Sequence, residues 1–491
     1  MRKSGVLMHI SSLPSPYGIG TLGAEAYRFA DFLAESGQSF WQVLPVSPTG
    51  FGDSPYQSFS AFAGNPYFLD LDLLAADGLL DKGDYVNQDW GQDPQRVDFG
   101  QLYQTRWPVL RKAAQRLLSA PNADYAAFCA ENAAWLSDYA LFMALKDAHG
   151  GAPWTAWERP LRFREAAALA RAQGELAAET ASYKALQFLF SRQWNALHVY
   201  TQKRGISIIG DMPIYAAPDS ADVWAQPELF ELDAERRPAE VSGCPPDAFS
   251  PDGQLWGNPL YDWERQRKTG YAWWIARMHH AFTIYDMLRI DHFRGFESYY
   301  AIPAGESTAR NGRWRKGPGY VLFAAVDQAL GKRPILAEDL GFLTAGVRRL
   351  LADCGYPGMK VLQFAFDSRE ESDYLPHNFP RNCVAYTGTH DNDTIIGWFQ
   401  NAPREDAAKA KDYMRLHEGE SAPRCMLSTL WASVADLTIA QMQDLLELGS
   451  EARMNTPGTA GGNWQWRMVP KTELSEISCW LRHITALYGR I

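Results

Sequence analysis

One local pattern recurs along the chain and constrains the fold more than anything else. An amphipathic helical stretch ends near a glycine or proline, and a short apolar run follows. "YRFADFLAESGQSFWQVLPVSP" does this around Gly37, and "QWNALHVYTQKRGISIIGDMPIY" at Gly205, with Lys203 and Arg204 in the last turn, where cations suit the helix dipole. "VDQALGKRPILAEDLG" repeats it at Gly331 and "VRRLLADCGYPGMKVLQFAF" at Gly355. Strands apolar on both faces and separated by helices imply a parallel sheet. Eight runs qualify: 6–10, 41–46, 206–213, 287–291, 335–338, 360–364, 383–387 and 437–441. Eight parallel strands alternating with helices predict an α/β fold, a (β/α)8 TIM barrel, over residues 1–491. The competing open, doubly wound sheet normally carries a Gly-rich phosphate loop directly after its first strand. "HISSLPSPYGIGTLG" places Gly18 well past that strand and behind two prolines, so this reading is set aside.

The spacing is uneven. About 160 residues separate the second and third strands, far more than one crossover needs. Residues 70–190 are rich in Ala and Leu at helical spacing and predict a helical insertion after strand two. Residues 215–275, rich in Pro, Gly and Trp, predict a loop-rich insertion after strand three that covers the site.

The charge balance, 47 basic against 57 acidic residues with no basic run, argues against nucleic acid or an anionic membrane as the main partner. Six scattered cysteines without a CxxC pair suggest free thiols in a reducing cytoplasm. The apolar run near the N-terminus is too short for a signal peptide, and no stretch is long enough for a membrane span.

In a barrel the chemistry lies where the strands end. Four such ends carry acids: "GDMP" offers Asp211, "RIDHFRG" Asp291, "LAEDLG" Glu338 and Asp339, and "TGTHDND" His390, Asp391 and Asp393. Any one of these is as well explained as a helix cap or a solvated charge. Four converging on one face of one barrel suit glycosidic bond chemistry, in which one carboxylate attacks and another donates a proton. Arg289 stands two residues before Asp291, so strand alternation turns both to the same side and suits Asp291 as the ionised nucleophile. Glu338 follows the apolar "ILA" with no adjacent cation, which suits a proton donor. The metal-hydrolase alternative would want a second histidine beside His9, which "HIS" lacks, so no metal is expected.

At these residues the chain resembles a known family. "GDSPYQSFSAFAGNPY", "GDMPIY", "GQLWGNPLYDW", "LRIDHFRGF", "LAEDLG", "GTHDND" and "RMNTPGT…GNWQWR" are all similar to the 4-α-glucanotransferases, or amylomaltases, and the similarity spans essentially the whole chain. The resemblance implies a retaining enzyme of the α-amylase-like clan without a C-terminal β domain, acting on α-1,4-glucans and maltooligosaccharides without a cofactor. It implies Asp291 as nucleophile, Glu338 as acid/base and Asp391 as transition-state stabiliser. Arg289 would support the nucleophile, and Asp211, His390 and Tyr56 would line the subsite of the attacked glucose. His292 and Asn463 are implied as further sugar contacts. Asp247, Phe249 and Trp256, in "CPPDAFSPDGQLW", would face the glucan from a covering loop, where this sequence has the small Ala248. A hydrolase of the same clan and a non-catalytic glycan-binding protein are the alternatives.

Overall fold

The computed structural model describes all residues except 1, 247–249, 342, 370, 460 and 471. Eight parallel strands form the central sheet: Lys3–Leu7, Phe40–Gln42, Ser207–Met212, Met287–Ile290, Ile335–Ala337, Gly358–Val361, Cys383–Tyr386 and Leu437–Gln441. The first strand pairs with both the second and the eighth. The fifth and sixth strands meet through the Ala337 N–H donated to Pro357 O at 3.0 Å, so the sheet curls into a (β/α)8 barrel.

The sequence pattern explains why these segments form. Helix Ala24–Glu35 buries Ala26, Phe29, Ala30 and Leu33 at helical spacing. Helix Ala345–Cys354 starts where the Thr344 hydroxyl accepts the Val347 N–H and stops at Gly355, φ 71°. Gly37, Gly205 and Gly331 likewise hold positive φ just past their helices, which is the geometry that turns the chain back into a strand. Inside the third strand, a Cβ on Gly210 would lie 2.2 Å from the Tyr285 ring, so only glycine lets that side chain pack against the barrel wall.

Most strand boundaries differ from the sequence reading by a residue or more, and the sixth strand, expected at 360–364, runs Gly358–Val361. The first strand begins at Lys3, ahead of the apolar run, because Ser4 is fully buried in the barrel and Lys3 pairs with Leu437. The second strand ends at Gln42, before its apolar run does.

Residues 71–203 are mostly helical, with Phe99–Leu118, Ala133–Ala148 and the 27-residue Ala177–Lys203 the longest elements. The 215–275 segment carries more regular structure than its proline and glycine content suggests. Glu240–Cys244 and Gln254–Pro259 pair antiparallel and join Ser298–Pro303 and Arg313–Lys316 in a four-stranded sheet. Glycine marks close approach there, since a Cβ on Gly243 would meet Gln254 O at 2.2 Å. Among the described residues, no helix is long and apolar enough to cross a membrane.

Candidate active site

Strand register builds the site. Asp211 pairs with Arg289, and Arg289 with Leu336. Paired residues on parallel strands face the same side, so Asp291 and Glu338, two positions further on, face the barrel axis one level above.

At the lower level, Arg289 Nη1 donates to both oxygens of Asp211, at 2.7 and 2.6 Å. The same guanidinium reaches up with Nη2 to Asp291 Oδ1 at 3.1 Å. The Asp211 side chain is wholly buried and that of Arg289 is 3% exposed, whereas the Asp291 carboxyl is 29% exposed to the cleft. Tyr56 completes the layer, donating its hydroxyl to Asp211 Oδ2 at 2.8 Å and lying 2.9 Å from His390 Nε2. Its ring stacks on the His390 ring at 5.2 Å and 14°.

Glu338 is fixed by the backbone. Its Oε2 accepts the His292 N–H at 2.8 Å and its Oε1 the Leu340 N–H at 2.7 Å. His292, immediately after Asp291, holds φ 49°, a left-handed conformation that few non-glycine residues adopt. The strand end is thus bent at the residue that lends its N–H to Glu338. The neighbouring Asp339 is turned elsewhere: its Oδ1 accepts the Met359 N–H at 2.6 Å, tying the fifth strand to the sixth.

Asp391 lies on the loop after the seventh strand, 43% exposed, with His390 Nε2 3.5 Å from its Oδ1. Asn455 Nδ2 donates to that Oδ1 at 2.6 Å, and Arg453 Nη2 donates to the Asp391 carbonyl at 2.7 Å. The buried Asp444 braces the same loop from below, accepting the Thr387 hydroxyl and the Ile395 N–H at 2.8 Å each.

Burial pushes Asp291 well above the usual carboxylate range. Arg289 pulls it down, while Asp211, Glu338 and Asp391 push it further up. Glu338 is raised too, mainly by burial, against Arg289 and its two backbone donors. An adjacent arginine therefore does not make Asp291 an ordinary acid, because burial, helped by the neighbouring carboxylates, outweighs it. His390 and His292 are both lowered by burial, His292 to about 3, and stay neutral.

The other predicted contacts are scattered differently. The Trp256 ring stands edge-on to His292 at 4.8 Å and 85°, at the strand end that bears Asp291. Asn463 is engaged within its own loop, accepting the Thr456 N–H at 3.0 Å and donating to Thr459 O and Oγ1. Asp247 and Phe249 lie outside the described residues. The sequence reading passed over Arg453 and Asn455. Their signal was the alternation in "RMN", which places Arg and Asn on one side of an extended segment and the buried Met454 on the other.

This geometry has known counterparts. The family model described as 4-alpha-glucanotransferase matches residues 8–472. The chain belongs to the 4-alpha-glucanotransferase family. It is 49% identical over 496 residues to the Streptococcus pneumoniae 4-alpha-glucanotransferase, covering 100% of this chain and 98% of that protein. It is 51% identical over 481 residues to the Thermus thermophilus 4-alpha-glucanotransferase, covering 96% and 95%. The solved amylomaltase from Streptococcus agalactiae in complex with acarbose superimposes with a TM-score of 0.97 at 46% identity, over the whole of both chains. The amylomaltase fold and an enzymatic role follow from this membership.

Proposed function

We propose that the chain moves α-1,4-glucan segments from a donor to a glucan or glucose acceptor through a covalent glycosyl–aspartate intermediate. An Asp291 oxygen attacks the anomeric carbon as the glycosidic C–O bond breaks, and the departing oxygen takes the proton of Glu338. The fragment leaves, and a second glucan enters. Glu338, now a carboxylate, accepts the proton of the incoming hydroxyl, whose oxygen displaces Asp291 from the anomeric carbon. Two inversions give net retention.

The observation that carries this reading is the 2.8 Å bond from the His292 N–H to Glu338. It makes the carboxyl of Glu338 a close neighbour of Asp291, which suits the retaining separation of about 5–5.5 Å. The reading needs Asp291 ionised while Glu338 keeps its proton, and the guanidinium in contact with Asp291 supports that order. Asp211, Tyr56 and His390 would hold the hydroxyls of the attacked glucose, and Asp391, held by Asn455, would stabilise the developing positive charge. Transfer in place of hydrolysis calls for a covered site. The antiparallel pair Glu240–Cys244 and Gln254–Pro259, which brings Trp256 to His292, supports such cover. Six free cysteines fit a reducing cytoplasm.

The test is product analysis from maltotriose. Glucose appearing together with longer maltooligosaccharides is the expected result. Release of reducing ends with no lengthened product would replace transfer by hydrolysis.

A further inference from the structure

Beside His390, where the first and eighth strands end, lies an internal pocket of about 10 Å³. Three buried polar atoms on the residues that line it bond no described residue: His9 Nδ1, Ser12 Oγ and Gln441 Nε2. Their residues are 6%, 1% and 2% exposed. One buried polar group left unpaired costs about 1–3 kcal/mol, and native proteins leave few of them. Three around one small pocket call for a shared partner. We propose that the pocket binds one ordered water molecule, and that His9, Ser12 and Gln441, bridged by it, form a positioning element for His390; the part given to His390 rests on the glucanotransferase reading above.

The size and chemistry of the pocket suit water and little else. An internal volume of about 10–15 Å³ is the least that takes one water molecule, so nothing larger enters. Among the described residues no carboxylate, thiol, lysine or arginine lines it, which leaves an ion without a counter-charge. Gln441 Nε2 can only donate, so the water oxygen accepts from it. Burial lowers His9 to about 3, so its ring is neutral, and with the proton on Nε2 its Nδ1 accepts one water hydrogen. The Ser12 hydroxyl oxygen accepts the other. That makes about three hydrogen bonds, the usual complement of a buried water.

Folding brings these atoms together from distant parts of the chain. Leu7 pairs with Gln441, and His9 follows two residues later on extended backbone, ψ 151°. Ser12 ends the single turn Ile10–Ser12, and its carbonyl accepts the Met468 N–H at 2.9 Å. A Cβ on Gly388 would stand 3.0 Å from Gln441 Nε2, so the loop that carries His390 rests against this side chain two residues before the histidine.

The same wall reaches the reacting groups. His390 and Met454 both line the pocket. The residues that follow them, Asp391 and Asn455, bond each other at 2.6 Å, and the Asn455 N–H is donated to His390 O at 3.0 Å. A water that fixes this wall therefore holds the His390 ring where Tyr56 meets it at 2.9 Å.

A high-resolution crystal structure of the wild-type protein should show one density peak within about 3.2 Å of all three atoms. Gln441→Leu removes the donor and should erase the peak. One lost hydrogen bond is worth about 1 kcal/mol, so Gln441→Leu and His9→Phe should each lower kcat about 3- to 10-fold with KM for maltotriose nearly constant. His9→Gln, which keeps an acceptor within reach of the water, should recover most of the kcat lost in His9→Phe. Absence of the peak overturns the site. Wild-type kcat in both Gln441→Leu and His9→Phe, or a His9→Gln no more active than His9→Phe, overturns the positioning role. Where a variant fails to fold, the wild-type density still decides. The density needs no turnover, so failure of the wild-type protein to lengthen maltotriose would count against transfer alone.

Discussion

Replacing Arg289 by methionine removes the cation that, among the described residues, is in contact with both Asp211 and Asp291, and the two contacts respond differently. Asp211 has no exposed side-chain surface, and both its oxygens are bonded to Arg289 Nη1. Stranding a buried charge in this way costs about 3–5 kcal/mol. At about 2.1 cal/mol/K of unfolding entropy per residue, a chain of 491 residues loses about 1 °C of Tm per kcal/mol, so calorimetry should record a fall of about 3–5 °C. The double variant Arg289→Met/Asp211→Asn no longer buries a charge there and should recover most of that loss. Activity should not recover. Loss of one preorganised electrostatic partner costs on the order of 10²–10³ in kcat, and Asp291 depends on the guanidinium at 3.1 Å whichever residue occupies 211. Arg289 also holds Asp291 and Glu338 down, so the acid limb of kcat/KM should move to higher pH in both variants. A double variant no more stable than Arg289→Met would refute the claim that the unpaired Asp211 charge sets the cost.

Two further outcomes follow from the same contacts. Asn455→Ala removes the 2.6 Å bond to Asp391, and hydrogen bonds to charged groups are worth about 1.5–3 kcal/mol, so kcat should drop about 10- to 150-fold with KM for maltotriose nearly constant; a kcat within twofold of the parent would remove Asn455 from the machinery. Burial lowers His9 to about 3, so it stays neutral in the fold while the unfolded chain takes up a proton near pH 6.5, and its contribution to stability is lost as pH falls through that window. Asp444, raised to about 7, acts with the opposite sign, losing stability as pH rises, so the histidine part is best read by difference. Between pH 7 and pH 5, His9→Gln should lose about 2 kcal/mol less than the parent in denaturant unfolding, and parallel curves would show that His9 is not held neutral.

Much of the barrel was legible because its signal is local. The glycines at 37, 205, 331 and 355 each adopt a positive φ that other residues disfavour, and the flanking helical and apolar periods do the rest. Strand ends were legible less well, since whether Ser4 is strand or loop depends on the partner strand beginning at Leu437, far away in sequence. The pair Glu240–Cys244 and Gln254–Pro259 was read as loop for a related reason. Its partner strands, Ser298–Pro303 and Arg313–Lys316, come later in the chain, and glycines in a strand look like a turn until the neighbouring backbone is in place.

At the site, chain order and alternation alone put Arg289 on the same side as Asp291, and put the acids at strand ends. Residue chemistry could not say how they would titrate. Asp291 stands beside an arginine and is nevertheless raised, because folding buries it and packs Asp211, Glu338 and Asp391 around it. Nor could it say that Asn455 would hold Asp391 while Asn463 bonds its own loop. The sequence by itself determined which groups are available and which way each strand turns them, since backbone sterics act between neighbours. Only the tertiary structure decided which charges share a cavity, because desolvation and Coulomb interaction depend on distances between strands that the chain does not encode one residue at a time.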